Sequence, residues 1–223
     1  MIARLRDAGL PAVFVLATDS ALALGELVQQ AVSVCLSEAY TLVADVWAWE
    51  IPRGRSGWSA HRGISTLLDR ARPELVNTWI ALSDVPVERS CMHFVPLDAD
   101  AGYPDDLAAI AASPPSGGHA TALTTGEALA WNANVLHWGG PCAVDCAGPR
   151  VSCAFSLVRT DALPAIGLAP LTASATPTER VDLVATQIAT YGAGQHDVSD
   201  EILEWARATF TLSALSRGSG QHP

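Results

Sequence analysis

The middle of the chain is a succession of short runs rich in β-branched, aromatic and alternating apolar residues, each closed by a turn. The runs are TLVADVWAWEIP, NTWIALSDVP, CMHFVPLD, EALAWNANVLHW and RVSCAFSLVR; PRGRSG, SPPSGG and GGPCAVDCAGP are the turn-rich separators. Successive side chains of a strand face opposite ways, so such runs must pair into sheets that close up or pack face to face. On either side the period becomes helical. Leu24, Leu27, Val28, Ala31, Val34 and Cys35 recur at helical spacing behind the candidate caps Asp19 and Ser20. A Pro-punctuated connector, DALPAIGLAPLTASATP, leads to two more helical segments near 177–191 and 199–214, the second entered through Ser199. PAVFVLA at 11–17 reads as a strand. The expectation is one domain over 1–223. Its mostly β core spans about 41–160 as a barrel or sandwich, with a strand and helix at about 10–40 and helices at about 177–214.

Composition narrows the chemistry. The formal net charge is −10, and all thirteen basic residues are Arg. An acidic surface with scattered Arg argues against a nucleic-acid partner, and the absence of Lys removes Schiff-base and Walker-type chemistry. No window reaches the length of a membrane span. The N-terminal stretch lacks the order of a signal peptide, which predicts a cytoplasmic protein. Cys142 and Cys146 have a four-residue step that suits a zinc pair, but no second pair accompanies them.

Two histidines stand at turns. His61 follows PRGRSG, and His137 ends the apolar run ANVLHWGG. A strand-end His is more often a structural hydrogen-bonder than a ligand, so each needs its surroundings. WSAHRG, NTWIALSDVPVERSCMHFVPLDAD, GEALAWNANVLHWGG and GPRVSCAFSLVR occur in that order. Together, over about residues 10–160, they resemble the phytanoyl-CoA dioxygenase-like branch of the Fe(II)/2-oxoglutarate-dependent oxygenases.

The resemblance implies a double-stranded β-helix, a jelly-roll or cupin-like barrel, with flanking helices and the metal at one mouth. It implies His61 and His137 as iron ligands and Arg150 as the partner of the distal carboxylate of 2-oxoglutarate, a task that suits a planar guanidinium. Arg159 is the fallback. Asn77 and Thr78 fall where the family places cosubstrate contacts, and Asn132 and Trp138 are candidates for the same cavity. Members of the family tailor small natural-product scaffolds. Trp47, Trp49, Trp58 and Trp131 are candidate walls for a small-molecule substrate, although a strand Trp is more often core. The C-terminal helices leave a homodimer contact open.

The family pattern begins His-x-Asp, and here the third residue is Gly63. The usual facial triad is two His and one carboxylate. Four explanations stay open. Chloride can take the vacated iron position, as in family members that halogenate carbon; the fold can persist as a binding protein or non-oxidative catalyst; another acid, Asp69 or Asp84, can reach the metal; or Gly63 can be an introduced change.

Overall fold

The computed structural model describes residues 1–63, 72–100, 102–103 and 118–218. Seven strands are present among them: β1 Tyr40–Ile51, β2 Leu75–Ala81, β3 Met92–Val95, β4 His119–Thr121, β5 Ala128–Asn132, β6 Leu136–Gly139 and β7 Arg150–Arg159. They form two antiparallel sheets, one in the order β1-β7-β2-β5 and one in the order β4-β3-β6. This is the double-stranded β-helix, with helices flanking it: α1 Ile2–Asp7, a 3-10 turn at Ala12–Ala17, α2 Asp19–Leu36, α3 Leu163–Ile166, α4 Pro177–Tyr191 and α5 Asp200–Gly218. No described helix is long and apolar enough to cross a membrane.

Three expectations are corrected. PAVFVLA is not a strand. Pro11 introduces a 3-10 helix, so Val13 and Leu16, one turn apart, point together into the core. Second, helix α2 is capped by Thr18, whose hydroxyl accepts from Ala21 N, and its buried stripe is Leu22, Gly25 and Val32. Leu27 and Val34 are exposed at 62% and 78%. The spacing was helical but its phase differs, because the helix docks through a glycine. A Cβ on Gly25 would lie 2.7 Å from Leu42 and 3.2 Å from Phe155, and Gln29 accepts Leu42 N at 2.9 Å.

Third, EALAWNANVLHW is two strands in different sheets. Asn132 Oδ1 accepts from Asn134 N and Nδ2, both at 3.0 Å, and Val135 N donates to Asn132 O at 2.9 Å. That turn leaves Trp131 in one sheet and carries His137 into the other. Such a side-chain-stabilised turn is what Asn residues favour.

Strand β1 is interrupted where it matters for the site. Against β7, Leu42 pairs with Leu157 but Val46 pairs with Phe155, so extra residues bulge from β1 opposite Ser156. The bulged backbone finds its partners elsewhere. Ala44 N donates to Ala169 O at 2.8 Å, and buried Gln187 of α4 donates to Ala44 O at 3.0 Å and accepts Val46 N at 3.1 Å. Replacing Gln187 with Leu keeps volume but strands both backbone groups. It is expected to cost about 2–3 kcal/mol, read as a lowered urea midpoint at unchanged slope.

Candidate functional site

Inward-facing residues of β7 set the site. Arg150, Ser152, Ala154 and Ser156 share one face, and β7 is paired along both edges, by β1 and by β2. Between the two charged or polar ends this face carries only small side chains. The result is a cavity of about 320 Å³ between the sheets, walled by Trp47, Trp49, Trp58, Trp79 and Trp131. His61, Gly63, Asn77, Thr78, His137 and Arg150 also line it.

The two histidines face each other across the mouth. A pair of backbone hydrogen bonds, His61 N to His137 O and His137 N to His61 O, both 2.9 Å, joins the loop to β6, and the ring centroids are 4.2 Å apart. Each Nδ1 lies against a carbonyl, Ser59 O at 2.6 Å and Val135 O at 2.9 Å. A carbonyl only accepts, so both Nδ1 atoms carry the proton and both Nε2 lone pairs are free. That is the tautomer a metal-ligating His uses, with its other nitrogen anchored by backbone. Burial lowers the His61 pKa; it lowers that of His137 further, to about 3, with the neighbouring His61 charge adding to the effect.

Arg150 lies deep in the cavity at 1% exposure. It sits over the rings of Trp49 and Trp79, at 5.6 and 5.4 Å, and donates from Nη1 to Ser90 O at 2.9 Å. Its Nε has no hydrogen-bond partner and it has no carboxylate partner among the described residues. Burial lowers its pKa to about 9, which leaves it cationic at neutral pH. Ser90 Oγ and Ser152 Oγ are likewise buried without partners. Unpaired buried polar groups are costly unless something meets them, and a guanidinium in this state fits an incoming carboxylate.

Gly63 is hemmed in. Its N donates to Ala133 O at 2.8 Å, and a Cβ there would meet Asn77 Nδ2 at 2.9 Å and Ala133 Cβ at 3.1 Å. The amide of Asn77 thus stands where a side chain at 63 would begin. Thr78 Oγ1 is spoken for, donating to Phe155 O at 2.7 Å.

Other expected residues lie elsewhere. Asn132 does not line the cavity, because its carbonyl oxygen organises the turn described above. Trp138 is turned away and stacks on His93 at 5.2 Å. Arg159 pairs with Asp161 at 2.6 Å and donates to Arg72 O. Asp84 is tied into a turn by Thr125 N and Oγ1, both at 2.8 Å. Asp69 lies outside the described residues. Cys142 and Cys146 are neighbours at 3.2 Å, yet no third His, Cys, Asp or Glu joins either them or the two cavity histidines in a metal-binding group among the described residues.

Several cavity residues lie outside the sequence expectations, among them Asp45, Arg62, Trp79, Ser156 and Tyr191. Asp45 lies in the β1 bulge and faces the cavity, where it accepts from Ser156 Oγ at 2.7 Å and Tyr191 Oη at 2.8 Å. A signal for it exists: Asp45, Trp47 and Trp49 share the parity of one strand face, so an acid is placed in line with two indoles.

Two outcomes follow from this geometry. His137 has a pKa below its unfolded value of about 6.5, so the unfolded chain binds more protons as pH falls from there towards 3. The stability of metal-free protein should therefore be full above about pH 6.5 and decline steadily below it. Urea unfolding across this window should show a shallower decline in His137→Gln. Separately, Gly63→Asp should lower stability by about 1–2 kcal/mol through overpacking, and adding Asn77→Gly should recover most of it in thermal unfolding.

Residues 15–145, more than half of the chain, match the family description of phytanoyl-CoA dioxygenase (PhyH). No curated protein sequence matches. Among solved structures, the chain is similar to the non-heme alpha-ketoglutarate-dependent epimerase SnoN from nogalamycin biosynthesis, with 18% identity over 65% of this chain and 56% of that one, TM-score 0.41. It is similar to the carbocyclase SnoK of the same biosynthesis, with 21% identity over 59% of each chain, TM-score 0.43. It is also similar to HygX from Streptomyces hygroscopicus with nickel and 2-oxoglutarate bound, with 19% identity over 63% of this chain and 66% of that one, TM-score 0.47. In all three comparisons the chain spans less than two thirds of the other protein's length. The chain belongs to the phytanoyl-CoA dioxygenase (PhyH) family.

Proposed function

We propose that the chain is a non-haem Fe(II)/2-oxoglutarate-dependent enzyme that acts on a small molecule inside the cavity. The observation that carries this reading is Arg150: a buried guanidinium without a carboxylate partner among the described residues faces the same cavity as two histidines whose Nε2 atoms have no partner among those residues. Burying a cation alone is costly, and an anionic cosubstrate offsets that cost on binding. His61 and His137 would hold the metal, and Arg150 would hold the distal carboxylate. The bound pair would supply oxidative chemistry at an unactivated carbon. The chain's own residues then orient and shield. The Nδ1–carbonyl bonds fix the imidazole planes, and the indoles exclude water.

The position of Gly63 separates the finer readings. Asn77 Nδ2 aimed at the vacated place is an N–H donor, which suits an anion such as chloride and favours halogenation. Two neutral ligands alone hold Fe(II) less firmly, which favours a non-redox or binding role.

Anaerobic addition of Fe(II) and then 2-oxoglutarate, with and without chloride, distinguishes these by the visible band of the chelate. A saturable band tightened by chloride supports the halide reading. A band indifferent to chloride supports oxygenation without it, and absence of a band overturns the oxygenase reading. In Arg150→Met the band should need about a hundredfold more 2-oxoglutarate. The cosubstrate-free variant should be as stable as the unaltered protein or more so, because an uncompensated buried charge has been removed.

A further inference from the structure

Arg150 has an opposite at the far end of β7. Ser156 lies six residues further along the same inward face, on the order of 20 Å of strand, and its hydroxyl is bonded to Asp45. Asp45 faces the cavity and accepts two hydrogen bonds, both from neutral hydroxyls. No Arg or His pairs with it among the described residues. A carboxylate has about four acceptor positions, so Asp45 keeps capacity to spare. Its neighbours are rings: Tyr191, whose hydroxyl it holds, packs against Trp58 at 5.4 Å and Trp47 at 6.1 Å, and the two indoles meet at 5.7 Å.

We propose that Asp45, with Trp47, Trp58 and Tyr191, is the recognition site for a protonated amine on the substrate. The assignment deepens the enzyme reading above and rests on it for calling that amine's bearer a substrate. A carboxylate receives charge-assisted N–H bonds, and aromatic faces attract the same cation through their quadrupoles. Neither feature serves a carboxylate-bearing or phosphorylated substrate, which Asp45 would repel. The cavity thus offers an anion seat at Arg150 and a cation seat at Asp45, the other lining guanidinium, Arg62, being paired with Asp100, and a bound amine would be held at the end away from Arg150. Gln187 holds the backbone on either side of Asp45, at Ala44 O and Val46 N, which fixes the carboxylate's place in the bulge.

The test uses metal-free protein and three probes of one shape: benzylammonium, neutral benzyl alcohol and benzoate, each titrated by tryptophan fluorescence. Benzylammonium should bind about tenfold more tightly than benzyl alcohol. In Asp45→Asn that preference should vanish, while benzoate affinity and the melting temperature hold. No preference in the unaltered protein, or a preference that survives Asp45→Asn, overturns the proposal. Should Asp45→Asn fail to fold, a crystal of the unaltered protein soaked with para-bromobenzylamine decides. Nitrogen against Asp45 supports the assignment, and nitrogen elsewhere refutes it. The iron and 2-oxoglutarate titration is independent. A chelate band without amine preference sinks only the amine site, and amine preference without a chelate band sinks only the oxygenase reading.

Discussion

Strand β7 is hydrogen-bonded along both edges, to β1 on one side and to β2 on the other. A strand held twice cannot slip, and a slip of one residue would exchange its two faces. One face, with Cys153, Phe155 and Leu157, closes the core; the other carries Arg150, Ser152, Ala154 and Ser156 into the space between the sheets. Everything chemical in the molecule is measured from this register. It sets where a guanidinium is buried, where small side chains leave a hollow, and where a serine hydroxyl meets the bulge of β1.

Long β-like runs and flanking helical periods were legible because they depend on local alternation. That His61, His137 and Arg150 line one cavity is foreshadowed by the ordered series of motifs in which each sits beside a turn. What escaped local reading depends on distant partners. The phase of α2 is set by Gly25 fitting against Leu42 and Phe155, which no helical pattern announces. The break after Trp131 depends on an Asn pair that reads equally well as part of a strand. Asn132 was expected at the cavity and instead builds that turn. Asp45 escapes local reading because the bulge that contains it is held by Gln187, more than a hundred residues later.

The buried polar groups of the cavity share a pattern. Arg150 Nε, Arg62 Nε and Nη1, and the indole nitrogens of Trp49, Trp79 and Trp131, all on lining residues, are without partners among the described residues. A core selected for stability alone would have replaced several of them with hydrocarbon. Their clustering around one space sets that region apart from the well-satisfied sheets beside it.

Gln187 and Tyr191 stand four residues apart on α4, one turn of one helix face. A single element outside the β-helix therefore both shapes the β1 bulge and donates to the carboxylate that the bulge presents. The pairing of β7 with β2 and the backbone bonds between His61 and His137 make no use of this helix face. If the proposed enzyme and amine seat hold, exchanging that face between relatives would change which molecules the chamber accepts while leaving the histidine end as it was, and selectivity and reactivity would be set on separate parts of the chain.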